Sequence, residues 1–479
     1  MDTATLALIG LVIIVAGLLS GVVERTRFPQ VALFLLLGLI IGVNGFGLVD
    51  FRIDSRILES IATLGLVLVL FTDAVGIDIA EVKRHRSLVR LVLGPGTLVT
   101  AALIAFAAWA LLGLAPGPSA ILGAALASTD PVMMRGLLRS GNVPAAARQV
   151  LALESGLNDL VLLPIVLGAM AVLKGSGEGG GWGRAALNLF VVGPGAGIAV
   201  GFVGVALLDR ARRLVGVRRD YESLYALGLA FTAYAVAEAA HGSGFLASFA
   251  AGLTIAASDA ELCDCFLDVG QAAAEMFLLF TFVAFGSSLI WTGLSGITAA
   301  GLGFAVLALV LRSAVLAVAL PKKGLDPRSR RLIIWFGPRG LSTLLLVLLP
   351  VFAGVADADK LFAPAALVVL LSVIGHGGAL MLGRRPGSGA GRALPLIPEA
   401  APPAEPSPVE RRDRMTLLEL KELQARGEQV VLLDVRKDRA WNESEEKAKG
   451  AIRLHPDGAA RRGAELALPR SAWLVAYCA

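Results

Sequence analysis

The stretch LALESGLNDLVLLPIVLGAM, residues 151–170, sets how the whole chain is read. It lies in an apolar run over 146–173, long enough to cross a bilayer core of roughly 30 Å. Yet Glu154 and Asp159 stand inside that run. A charge at such a depth costs at least a few kcal/mol, so an acid kept there is a functional candidate by default. Ser155 and Asp159 are four residues apart and share one helix face, with Glu154 and Asn158 together on the adjoining face. The ligands on offer are hard oxygens, which suit Na⁺, Li⁺ or K⁺ better than a transition metal. The competing reading is an ion-paired packing motif without a transport role.

Working outward, the pattern repeats. The 479 residues are 56% hydrophobic and 17% charged, with a mean hydropathy of +0.74, which excludes an ordinary soluble domain. Thirteen apolar spans are expected near 5–23, 28–47, 57–79, 87–113, 118–138, 146–173, 186–208, 221–240, 243–258, 270–290, 297–320, 330–353 and 361–383. The first reads as a retained span rather than a cleaved leader, because no basic segment or small-residue cleavage site accompanies it. Alternate loops carry 19 Lys and Arg against 5 in the opposite set. The positive-inside rule then places the protein in the inner (plasma) membrane as a multi-pass chain, with the N-terminus outside and the C-terminus cytoplasmic. The acidic inner loop Asp259 to Asp268, without Lys or Arg, is the exception. The net charge of +5 sits in these short loops, so it reads as a topology signal and excludes a nucleic-acid face. Cys263, Cys265 and Cys478 make no disulfide framework.

Six further charges fall in or beside the spans: Asp73, Asp130, Glu238, Glu275, Arg312 and Arg339. Asp130 precedes Pro131 in Ala127-Ser128-Thr129-Asp130-Pro131-Val132. Proline removes a backbone donor and pushes its predecessor out of helical geometry, so span five should break there and free carbonyl oxygens. Unwound backbone beside a carboxylate is how a transporter builds a cation site at mid-depth; a tolerated kink, with Asp130 bonded to a neighbouring helix, is the other reading. Asp73 reads equally as an outer group that supports the ion's direct ligands or a vestibule acid, and as an interfacial helix-end residue. Arginine stays ionised when buried and needs an anionic partner or a water path. Glu154 is the expected partner, of Arg339 in preference to Arg312. Glu238 and Glu275 read as structural or solvated, and His241 and His376 as packing or loop residues.

Together, Ser-Thr-Asp-Pro at 128–131, Glu-Ser-Gly-Leu-Asn-Asp at 154–159, Gly-Ser-Gly-Phe-Leu-Ala at 242–247 and Gly-Pro-Arg-Gly-Leu-Ser at 337–342 resemble the motifs of NhaP-type Na⁺/H⁺ antiporters. These belong to the cation/proton antiporter-1 branch, and the resemblance runs over about residues 5–385. It implies an all-α polytopic membrane fold of two inverted repeats with broken helices. It also implies a mobile six-helix core, drawn from spans four to six and eleven to thirteen, against a dimerisation domain, in a homodimer. By the same resemblance Asp159 carries the ion or the proton, and Thr129, Asp130 and Ser155 complete the ion shell. Asn158 belongs to the same pair, and Glu154 ion-pairs with an arginine that maps best onto Arg339. The family often has Glu where Asp73 stands, and the shorter arm puts direct ligation there in question. Electrogenic relatives have two adjacent aspartates where this chain has Asn158-Asp159, so electroneutral exchange of one proton for one cation is expected. The glycines Gly193, Gly197 and Gly201, at four-residue intervals, form a close-packing stripe expected to serve the bundle.

After Arg385 the composition changes. Residues 386–409 form a Pro/Gly/Ala-rich linker, and 410–479 a small cytosolic α/β tail. Leu432-Leu433-Asp434-Val435-Arg436, Gly450-Ala451-Ile452 and Trp473 to Cys478 resemble the front half of a rhodanese domain. The sequence stops at Ala479, before the loop that would activate Cys478, so the tail is expected to be an inactive, truncated rhodanese-like unit. The whole reads as a secondary transporter, not an enzyme, with no cofactor, the bilayer as its surroundings, and Na⁺ or Li⁺ exchanged for H⁺. K⁺/H⁺ exchange is the alternative. A membrane-anchored sulfurtransferase or sulfur sensor is the more distant one, since an anchor needs one or two spans.

Overall fold

The computed structural model describes residues 10, 14–15, 18, 30–49, 52–53, 55–77, 82, 86–130, 133–134, 143–175, 181–258, 260–294, 297–320, 326–382, 420, 423, 426, 428–436, 441, 448, 450–454, 466 and 472–477. The expected first span, Pro131, the linker and Cys478 lie wholly or mostly outside them. The chain divides into two compact units, Met1–Ser388 and Gly389–Ala479.

The described part of the first unit is helical: α1 Gln30–Ile41, α2 Arg56–Val75, α3 Ser87–Leu112, α4 Pro116–Ala127, α5 Ala145–Leu173, α6 Gly183–Leu214, α7 Arg219–Ala239, α8 Gly244–Ser258, α9 Ala260–Ser287, α10 Ala299–Ala319, α11 Pro327–Trp335, α12 Leu341–Phe352 and α13 Phe362–Leu382. Six helical stretches are long and apolar enough to cross a membrane: α2, α3, α5, α6, α10 and Ala358–Gly378, which contains most of α13. Others, such as α1, α4, α8 and α12, are apolar but shorter. Two proline-associated π-helical turns, Val92–Val99 around Pro95 in α3 and Asn188–Val192 ahead of Gly193-Pro194 in α6, widen otherwise continuous helices.

The two breaks organise the fold. Span five stops at Ala127 and continues without helical structure through 128–130, as the Asp130-Pro131 step anticipates. The single span expected over 330–353 is corrected by the structure: it is two helices, α11 and α12, separated by non-helical residues 336–340. Pro338 has no N–H and disfavours helix at Gly337, so the ladder cannot run through. One bundle, α3–α5 with α10–α13, gathers around these breaks; the other is formed by α1, α2 and α6–α9. In the second bundle α6 lies along α8, and the glycine stripe makes that approach possible. Gly193 faces Ser243, Gly201 faces Thr254, and a Cβ on Gly197 would fall on the backbone carbonyl of Ala247. The stripe therefore serves the bundle.

In the second unit the strands β1 Val430–Asp434, β2 Ile452–Arg453 and β3 Trp473–Tyr477 form a parallel sheet in the order β2-β1-β3. Arg436 donates to Asp434 Oδ2 at 2.8 Å, and the Tyr477 hydroxyl donates to the same oxygen at 2.7 Å. These bonds, the Arg436 bond foremost, hold the Asp434 carboxyl down at about 2.

Two predictions follow from these contacts. Gly197→Ala should destabilise the detergent-solubilised protein by about 1–3 kcal/mol through overpacking. Gly195→Ala, whose new methyl meets nothing within 4 Å, should be neutral or stabilising by about 0.5–1 kcal/mol. Thermal melts of both variants decide the sign. For the tail, a carboxyl depressed in the folded state contributes stability that is present above its unfolded value near 4 and is lost as pH falls towards 2. Amide exchange in β1 of the full chain should therefore be faster in Asp434→Asn than in wild type at pH 6, and the difference should close between pH 4 and pH 2.

Candidate functional site

The two breaks cross, and each satisfies the other's loose ends. The Asp130 N–H donates to the Pro338 carbonyl at 3.0 Å. The Asp130 carboxylate accepts from the Leu341 N–H at 2.6 Å, at the start of α12, where a helix N-terminus favours negative charge. In return Arg339 Nη1 donates to the carbonyls of Ala127 and Ser128 at 2.9 and 2.8 Å, at the end of α4, where the dipole favours positive charge. Gly340 is required here, because a Cβ would overlap the Asp130 carboxylate. Arg312 serves the third loose end: its Nη1 donates to the carbonyls of Ile333 and Ile334 at 3.2 and 3.4 Å, where α11 stops.

Helix α5 runs past this crossing and supplies the remaining groups. Glu154, Ser155, Asn158 and Asp159 are all buried. Asn158 Nδ2 donates to Thr129 Oγ1 at 2.8 Å and to the Thr129 carbonyl at 3.2 Å. The Ser128 hydroxyl donates to Asp159 Oδ1 at 2.7 Å. Ser155 Oγ donates to Ala152 O at 3.1 Å in its own helix, which leaves its lone pairs available. The buried Asn158 Oδ1 has no hydrogen-bond partner among the described residues.

The structure thus brings the 128–130 segment, with Thr129 and Asp130, against Asn158 and Asp159, and Ser155 lies one turn before Asp159 on α5. It corrects the expected ion pair of Glu154 with Arg339. Glu154 is held bidentately by Arg312, at 2.9 Å to Nε and 2.6 Å to Nη2. Arg339 is committed instead to the carbonyls of the α4 end. Asp73 lies half-buried in the last turn of α2, in the other bundle, where neighbouring Phe71 and Ala74 face α8. Glu238 caps the start of α8 through the Gly244 N–H at 2.9 Å, and Glu275 receives a hydrogen bond from Gln30 at 2.8 Å, the structural roles expected of them. Ser128 was the residue the sequence reading passed over. Its position directly before Thr129, at the point where α4 ends, was the available signal.

A cavity of about 430 Å³ opens between the two bundles, with Leu167 and Met170 of α5 and Leu349 of α12 on one side and Glu59, Tyr234 and Glu238 on the other. Leu167 is eight residues beyond Asp159, about 12 Å along the helix.

A membrane bundle with crossed helix breaks around buried carboxylates is the architecture of an ion-translocating protein. Comparison with known proteins is consistent with this class. The family model described as "Sodium/hydrogen exchanger, transmembrane" matches residues 10–382, and the chain belongs to that family. Among curated relatives, the K(+)/H(+) antiporter NhaP of Alkalimonas amylolytica is 24% identical over 454 residues, covering 92% of this chain and 74% of that protein. The K(+)/H(+) antiporter NhaP2 of Shewanella sp. (strain MR-4) is 27% identical over 382 residues, covering 78% of this chain and 65% of that one. The chain thus spans between about two thirds and three quarters of their length. The sodium proton antiporter MjNhaP1 from Methanocaldococcus jannaschii shares the fold with a TM-score of 0.64 at 20% identity, over 78% of this chain and 98% of that structure.

Replacing Arg312 by Ala strands Glu154 as an unpaired buried charge, which costs about 3–5 kcal/mol. The double variant Arg312→Ala/Glu154→Gln removes the stranded charge and should recover part of that loss. Thermal melts of both in detergent test the pairing; equal stability of the single and double variants would contradict it.

Proposed function

We propose that this protein exchanges one monovalent cation for one proton at Asp159, by alternating access and without net charge movement. One observation carries the reading. Among the described residues, the buried charges around the crossing are Asp130, Glu154 and Asp159 against Arg312 and Arg339: three negative less two positive leaves one negative. Arginine does not give up its proton in a protein, so the imbalance is met by one proton or one cation, not both. Of the three acids, Glu154 is bound to Arg312 and Asp130 caps α12. Among the described residues, Asp159 receives only a neutral hydroxyl. The unpartnered Asn158 Oδ1 supports a cation beside it, since a buried acceptor left unmet costs about 1–3 kcal/mol and a metal ion is one way to meet it. Thr129, Ser155 and Asp130 complete the proposed shell. Burial disfavours the bare Asp159 carboxylate, while a proton or a cation neutralises it; only those two forms cross cheaply.

The rest of the reading extends from this site. The bundle α3–α5 with α10–α13 is the proposed moving core, the cavity beside Leu167 one of its access routes, and the other bundle the scaffold and homodimer side. Loop charge supports an external N-terminus and a cytoplasmic C-terminus. The named relatives include both Na⁺/H⁺ and K⁺/H⁺ proteins; we take Na⁺ or Li⁺ as substrate, with K⁺ as the alternative. The parallel sheet of the tail fits the rhodanese-like reading of that segment.

Proteoliposomes with an internal pH dye, challenged with Na⁺, Li⁺ and K⁺, test the proposal. Exchange should be insensitive to an imposed membrane potential. The apparent KM for the cation should rise about tenfold per pH unit on acidification, as one-for-one competition requires. Asp159→Asn should reduce exchange to background. A current that follows the potential, or wild-type exchange by Asp159→Asn, would overturn it.

A further inference from the structure

Beyond the ion site, a hydrogen-bond chain runs outward from it to helix α13. Ser372 Oγ, fully buried, accepts from the Arg339 backbone N–H at 2.7 Å. His376 Nδ1 lies 3.1 Å from the same oxygen and 3.3 Å from the Ser372 carbonyl. The imidazole is itself held against Trp335 and Phe336, with ring centroids 5.9 and 5.7 Å away, where α11 gives way to the second break. From Arg339 the chain continues through Nη1 to the Ser128 carbonyl and from the Ser128 hydroxyl to Asp159. None of these links is replaceable from within the break, since residues 336–340 have no helical ladder of their own.

We propose that Ser372 and His376 are positioning residues for the ion site: they fix the Arg339 backbone, and through it the Ser128–Asp159 contact that sets cation affinity. Neither touches the ion. In either tautomer the imidazole acts on the Ser372 oxygen, as acceptor of its hydroxyl proton or as donor to it, and so holds that oxygen towards the Arg339 N–H. Without the ring the hydroxyl turns back to its own helix, the second break loosens, and Arg339 no longer holds the α4 end in one place. The inference rests on the assignment of the ion to Asp159.

The test is a set of apparent KM values in the proteoliposome assay, with cation-dependent thermal shift in detergent as an independent measure of binding. Ser372→Ala and His376→Leu should each raise KM about three- to tenfold, with maximal rates within about twofold of wild type. Ser372→Thr keeps the hydroxyl, and His376→Asn keeps a group that either accepts or donates at the Nδ1 position; both should restore wild-type KM. Because the two residues act through one oxygen, Ser372→Ala/His376→Leu should be no worse than Ser372→Ala alone. A residue that merely packs would lower the melting temperature without moving KM, and Leu would serve it as well as Asn. Should Ser372→Ala fail to fold, the Leu and Asn pair at 376 makes the same discrimination. An unchanged KM in His376→Leu, or additive losses in the double variant, overturns the positioning role. Asp159→Asn run alongside separates the two failures: if it retains exchange, the ion site and this inference fall together, whereas if it loses exchange while Ser372→Ala keeps wild-type KM, only the positioning role falls.

Discussion

The crossing of two unwound segments is the constraint from which the rest of the membrane unit follows. In hydrocarbon each unsatisfied backbone group costs several kcal/mol, so a helix cannot simply stop half-way. Here α4 and α11 both stop, and α12 starts, at the same place. The carbonyls at the end of α4 are met by Arg339, those at the end of α11 by Arg312, and the N–H that opens α12 by Asp130. Each cap comes from another segment of the chain. Each break satisfies groups that the other leaves open, which ties α4 to α12 through the crossing.

The same capping decides which acid is free to do chemistry. Charges used on helix ends are fixed: Arg339 and Arg312 serve carbonyls, Glu154 compensates Arg312, and Asp130 serves an N–H. Each of the four is tied to a specific partner by the fold itself, although Nε and Nη2 of Arg339 have no hydrogen-bond partner among the described residues. Asp159 is the acid left over, touched by a hydroxyl that is neutral in every protonation state. A carboxylate in that position is costly when bare and stable when neutralised, which is the property a carrier site requires. The structural acids and the acid proposed to exchange thus differ by their partners, not by their depth.

How much of this was legible in the sequence depends on the range of the interaction. Local signals carried well: proline after Asp130 announced the first break, the four-residue spacing on α5 put Ser155 with Asp159, and the spacing of Gly193, Gly197 and Gly201 announced a close contact. The second break was signalled by Gly337-Pro338 but was hidden inside a stretch whose mean apolarity still read as one span. The pairing of Glu154 was the clear failure. Its partner lies 158 residues away on α10, and two buried arginines offered no local ground for choosing. What separates them is that Arg339 is adjacent in sequence to the second break and is drawn to the α4 carbonyls, a demand that exists only once the two breaks meet. Ser128 was missed for a related reason: its link to Asp159 needs the crossing to be in place.

Asn158 shows how far charge stoichiometry and architecture are joined in this site. Its amide donates to both oxygens of Thr129 and so pins the first break to α5. An ionised aspartate at the same position has no donor: it can accept from the Thr129 hydroxyl but would face the Thr129 carbonyl with a negative charge. Conversion to aspartate would therefore add an exchangeable charge and weaken the clamp at once. The amide removes that coupling: its two donors to Thr129 do not depend on protonation, and in the proposed exchange the single negative charge of the cluster falls to Asp159. On the proposed exchange, the number of protons per cation is set by the same side chain that keeps the unwound segment against α5, so a change of stoichiometry at this position also gives up the donor to the Thr129 carbonyl.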